Sequence, residues 1–148
     1  MWRIPETSVL IPYLREGHYR SEIRRAVHEG RMLLISVVTE EILAGARDYR
    51  QQREYDTFFD LFRHRGLVLT PTDADWQTCG RLLSRFRRRF GGIEPKDHQN
   101  DILILLSALA VAREHETVLM TENIAHFRMW LTFLQDAPAM QIDAMRRE

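Results

Sequence analysis

Four short apolar runs divide the chain, and the stretches between them carry the spacing of helices. The first run closes at Ile4, just before Pro5. "RMLLIS" (Arg31 to Ser36), "LVLT" (Leu67 to Thr70) and "TVLMT" (Thr117 to Thr121) are continuous rather than alternating, the pattern of strands covered on both faces. Between them, "SVLIPYLREG" predicts a helix with Pro12 in its first turns and Gly17 as its stop. His18 to about Glu29 predicts a second, with Ile23, Ala26 and Val27 on one face. "VTEEILAGARD" and "QQREYDTFFDLFRHRG" predict two more. "DADWQTCGRLLSRFRRRFGG" opens with acids and closes on arginines and paired glycines, which complements a helix dipole. An apolar helix from Gln99 or Asn100 to about Glu116 precedes the fourth run, and from Asn123 the pattern gives a helical turn and a weak strand near Met140 to Ile142. Strands alternating with helices in this order predict a single α/β domain over residues 1–148. Its expected form is a three-layer α/β/α sandwich around a mostly parallel sheet of four or five strands.

Composition narrows the function. Basic and acidic residues balance at 21 each, so no global field advertises a nucleic-acid partner and any such site must be a local patch. The basic side is almost all arginine, the better bidentate phosphate ligand, with Lys96 the only lysine. Cys79 is the only cysteine, which excludes an intramolecular disulfide or a cysteine-based zinc site and fits a reducing cytoplasm. The longest apolar stretch, Ile102 to Ala112, is short of the ~20 residues that span a bilayer, and no signal-peptide pattern opens the chain. The expectation is a cytoplasmic protein with no membrane partner.

In open parallel sheets, ligands bind beyond the carboxyl ends of the strands. Glu6 follows the first predicted strand, Glu40 and Glu41 lie shortly after the second, and Glu122 and Asn123 follow the fourth. Asp101 heads the helix before it. Carboxylates packed together in water-poor surroundings repel one another, so such a cluster implies a cation, and hard oxygen donors suit Mg²⁺ or Mn²⁺ better than Zn²⁺. A metal-polarised water is a ready nucleophile for a phosphodiester. Each acid alone has a plainer explanation: near a helix N-terminus acids are favoured by the dipole, and Asn123 suits an N-cap.

Taken in order, these segments resemble the PIN domains, and among them the VapC-type toxins of toxin–antitoxin pairs. "ETSVLIPYL" is similar to the family's opening Asp-Thr-Ser-Val-Leu-Ile, and "ISVVTEEILAGA" to its second motif, in which a Glu stands four residues before a Gly. "NDILILLSA" resembles its third and "TENIAHF" its closing segment, so the resemblance runs from Glu6 to Phe127. It implies a PIN-like fold and a Mg²⁺- or Mn²⁺-dependent endoribonuclease, a homodimer held inactive by a small antitoxin. Carried over by position, Glu6, Glu41 and Asp101 would hold the metal and Asn123 would take the fourth, more variable place. Thr7, Ser8, Thr121 and Glu122 would support them.

Three positions depart from the family pattern. Its first acid is typically Asp, and Glu6 carries one more methylene, which moves the carboxylate by roughly 1 Å, enough to cost ~100-fold in rate. Asn123 and His126 stand where the family can carry Asp, which lowers the site's negative charge. Pro5 lacks a ladder donor and predicts a frayed or shortened first strand. A second reading is therefore a catalytically weakened or inactive PIN-like domain that binds an antitoxin or RNA. A flavodoxin-like receiver shares the architecture but would need a phosphoacceptor Asp at a strand end and a partner Lys, which Glu6 and Lys96 do not match. Arg85, Arg87, Arg88 and Arg89 interleave with Phe86 and Phe90 and suggest either an RNA-binding face or simply a cationic helix end.

Overall fold

The computed structural model describes residues 1–92 and 94–147, and each apolar run forms a strand in it. These are β1 (Trp2–Pro5), β2 (Leu34–Ile35), β3 (Val68–Leu69) and β4 (Thr117–Thr121). The weak C-terminal pattern forms a fifth strand, β5 (Gln141–Ala144). The connecting helices are α1 (Thr7–Glu16), α2 (Arg20–His28), α3 (Ser36–Ala44), α4 (Tyr49–His64), α5 (Asp73–Phe90), α6 (Pro95–Ala112) and α7 (Ile124–Phe133). Continuous apolar strands are explained by their burial: all five residues of β4 are buried, and so are Met32 to Ile35.

Pairing among the described residues is parallel throughout, with β1 and β5 flanking β4 and β2 beside β3. A bridge between Arg3 and Met32 joins the two groups, giving the order β3-β2-β1-β4-β5. The Arg3 N–H donates to Arg31 O at 2.8 Å and the Leu33 N–H to Arg3 O at 3.0 Å. Continuing that bridge would require an N–H from Pro5, which has none, and the proline thus divides the sheet. Toward β4 the pairing is complete. Pro5 lies opposite Met120 as the last residue of β1, so the first strand runs one residue past Ile4 and is short without being frayed.

Helix α6 starts at Pro95 rather than at Gln99 or Asn100. Proline is pre-organised for the first helical position, and the polar residues after it carry no apolar period that would reveal a helix. Asp101 therefore lies well inside α6, not at its head. Beyond it, Ile102 to Leu105 are completely buried, which is why this helix shows no polar face. Phe127 and Trp130 from α7 and Phe59 from α4 add the largest buried side chains.

After β3 the chain crosses β1 to reach β4, so the direction of winding reverses between β1 and β4. Such a switch point opens a crevice at the carboxyl ends of the two strands. No helix among the described residues is long and apolar enough to cross a membrane.

Candidate functional site

Glu6 is the first residue after β1, and it caps α1 with its side chain. Its Oε1 accepts from the Ser8 N–H at 3.1 Å, from the Thr121 hydroxyl at 2.8 Å and from the Ser8 hydroxyl. Only 4% of Glu6 is exposed. Burial holds its carboxyl above the usual value, opposed by those hydrogen bonds and reinforced by the charge of Asp101.

Glu41 arrives from α3 and accepts from the Thr7 hydroxyl at 2.7 Å. Its carboxyl is also raised, first by burial, with Thr7 and Asn100 opposing and the charges of Asp101 and Glu40 adding. Asp101 arrives from α6, and burial raises it too, against the pull of His126 and His98. The Nδ1 of His126 lies 2.7 Å from Asp101 Oδ2, and its Nε2 lies 3.2 Å from His98 Nδ1. Three segments far apart in sequence thus deliver carboxyl groups near enough for Asp101 to act on both glutamates.

The supporting residues take distinct parts. Thr7 holds Glu41, while Ser8 and Thr121 hold Glu6. Ser8 Oγ also accepts from the Glu122 N–H at 2.9 Å, and Thr121 Oγ1 from the Asn123 N–H at 2.8 Å. The Glu122 side chain turns away: its carboxylate accepts from Arg147 Nε at 2.8 Å and from the Tyr19 hydroxyl. The Arg147 guanidinium holds that carboxyl below its usual value, and burial with the adjacent Glu122 pushes the Tyr19 hydroxyl up to about 12. Asn123 is exposed at the N-cap of α7 and makes no side-chain capping bond.

Buried and partly buried carboxylates, two of them raised further by the charge of the third, are the donor chemistry a hard divalent cation takes. In their present positions Glu6 and Glu41 are turned onto hydroxyl donors and Asp101 onto an imidazole. Among the described residues no three His, Cys, Asp or Glu side chains are gathered closely enough to hold one metal ion. The donor set fits in kind, and its members do not form a closed ligand sphere.

No family sequence model matches the chain, and no curated protein sequence is significantly similar to it. Its fold has close solved counterparts. A chain of the DNA-bound VapBC structure from Salmonella typhimurium superimposes with a TM-score of 0.63 at 18% identity, covering 97% of both chains. VapBC2 from Rickettsia felis, bound to a DNA fragment from its promoter, gives 0.63 at 16% identity, with 97% of this chain and 98% of that one covered. FitAB bound to the IR36 DNA fragment gives 0.64 at 13% identity, with coverage of 95% and 93%. The fold is that of the PIN-type toxins.

In this PIN-type fold the arginines of α5 do not form one face. Arg85 turns inward, where it donates to Phe133 O and packs its guanidinium 4.7 Å from the Phe133 ring centroid. Arg88 donates to Ser84 Oγ at 2.8 Å, Arg89 lies over Phe90, and Arg87 is exposed. The His98–His126 pair is the feature the sequence does not reveal. The two residues belong to different helices, and no local spacing marks them. Only the position of His126, where the family can carry Asp, pointed toward the site.

Proposed function

We propose that this chain is the toxin subunit of a toxin–antitoxin pair and that it hydrolyses RNA phosphodiester bonds with Mg²⁺ or Mn²⁺. The observation that supports the proposal is that Asp101 lies near enough for its charge to act on both Glu6 and Glu41, beyond the carboxyl ends of the strands, with each carboxyl raised chiefly by burial. The VapBC and FitAB counterparts supply the partner class, a small antitoxin, and a homodimer and a cytoplasmic location belong to the same reading.

Glu6, Glu41 and Asp101 would hold the cation. When bound, it offsets their charge and supplies a polarised water for attack on phosphorus. The chain's own residues set the geometry: Thr7, Ser8 and Thr121 aim the glutamates through their hydroxyls, and His126 fixes the Asp101 carboxylate. Asn123, exposed just beyond β4, offers its amide to orient the attacking water.

A second reading, an antitoxin- or RNA-binding domain with weakened or lost catalysis, is favoured by the absence of a three-ligand grouping among the described residues. Cleavage of structured RNAs with Mg²⁺ or Mn²⁺, against EDTA, separates the two. The nuclease reading expects cleavage that EDTA abolishes and that Asp101→Ala lowers by at least ~100-fold, the scale of a lost electrostatic contact to the transition state. Cleavage insensitive to both treatments marks a contaminant, and no cleavage together with no measurable Mn²⁺ binding overturns the nuclease reading and leaves the binding domain.

A further inference from the structure

Beside the acids lies a groove of about 510 Å³, within the size range of small-ligand sites, that no role assigned so far uses. Ser36 and Thr70, the first residues beyond β2 and β3, line it. Trp76 from the first turns of α5 and Gln99 and Asn100 from α6 line it too. Asn100 precedes Asp101 in α6, and its side chain hydrogen-bonds the Glu41 carboxylate, so the groove borders the acid cluster through this one residue.

The backbone that carries Trp76 is set by the start of α5. A capping box fixes the start of α5, with the Asp75 N–H donating to Thr72 Oγ1 at 3.1 Å and the Thr72 N–H to Asp75 Oδ2 at 3.0 Å. Pro71 and Trp76 occupy the two places of a hydrophobic staple, which accounts for one edge of the indole. It does not account for the rest, because 49% of Trp76 remains exposed while Trp130 is completely buried.

We propose that this groove is a subsite for one unpaired nucleobase of the RNA, stacked on the Trp76 indole beside the scissile phosphate. The inference rests on the nuclease reading above and names what its substrate must offer. An exposed indole takes the π-face of any base. The Gln99 and Asn100 amides each present a donor and an acceptor to a base edge, and the Glu40 carboxylate accepts from an exocyclic amino group. Glu40 is the only charged side chain lining the groove among the described residues, so the groove favours a base over a phosphate. Positive charge for the backbone lies farther along the same helix, where Arg81 and Arg88 border a second groove of about 560 Å³.

The test uses an adenosine hexanucleotide and an abasic chain of equal length, titrated into the full-length protein carrying Asp101→Asn so that the oligonucleotide is not consumed. The hexanucleotide should quench tryptophan emission, and the abasic chain should not. Adding Trp76→Phe should remove the quench and keep the affinity, whereas Trp76→Ala should weaken binding about tenfold, the scale of one lost stack. With Asp101 restored, Trp76→Ala should raise KM about tenfold with little change in kcat. A quench that survives Trp76→Phe, or equal affinity in Trp76→Ala, overturns the subsite. EDTA-sensitive cleavage with KM unchanged in Trp76→Ala sinks the subsite and leaves the nuclease standing. Quenching without any cleavage does the reverse.

Discussion

Glu6 and Glu122 each sit just beyond the carboxyl end of a strand of the same sheet, both are tied to Ser8, and their carboxyl groups are pushed in opposite directions. Glu6 is enclosed and meets only hydroxyls and a backbone N–H, so burial dominates and favours the protonated form. Glu122 meets the Arg147 guanidinium, and the ion pair favours the charged form. The residue type and the place at a strand end are shared. The counter-charge is not, and in the proposed nuclease a cation would give Glu6 what Arg147 already gives Glu122.

The largest expected effect comes from shortening the first acid. Glu6→Asp withdraws the carboxylate by about 1 Å, and the proposed mispositioning predicts tighter Mn²⁺ binding and RNA cleavage faster by up to ~100-fold. If titration and cleavage rates are the same in both proteins, the length of Glu6 is immaterial.

A smaller effect concerns stability. The folded-state carboxyl of Glu6 lies above its ordinary 4.5, so its favourable contribution is complete below that value and is lost as pH rises through the folded-state one. Glu6→Gln is neutral throughout and should melt higher than the parent at neutral pH, with the gap closing well below pH 4.5. Mn²⁺ should raise the parent's Tm more than the variant's. A gap independent of pH in thermal melts would show that charge burial is not its cause.

The smallest effect belongs to the other carboxylate. Glu122 is held below 4.5 by Arg147, so its contribution is complete above that value and disappears as pH falls through the folded-state one. Arg147→Ala should lower Tm only slightly at neutral pH, less so in high salt, and not at all once Glu122 is protonated. A drop that persists in acid would mean that Arg147 acts through packing.

Much of this was legible in the chain because fully buried strands, β2 and β4, write themselves as unbroken apolar runs, and the half-buried β1 and β3 were short apolar runs as well. β5 is half-exposed and left only a faint pattern. The start of α6 was hidden because Pro95 to Asn100 carry no apolar period, which misplaced Asp101 at a helix head. Glu6 and Glu41 stood out because their motifs follow predicted strands, and Asp101 because its motif opens the apolar part of the helix before the fourth. The hydroxyls that hold the glutamates, the turn of Glu122 toward Arg147 and the meeting of His98 with His126 depend on side-chain directions across separate elements, which spacing does not encode. Trp76 is not a core residue: 49% of it is exposed, in an open groove beside the acids.

The gap in the ladder at Pro5 makes the sheet two plates riveted at Arg3. Glu41 rides with the plate that holds β2, while Glu6 and Asn123 ride with the plate that holds β1 and β4. Sliding one plate against the other alters the distance between these side chains and spares the backbone bonds inside each plate. Whatever grips both plates at once sets that distance.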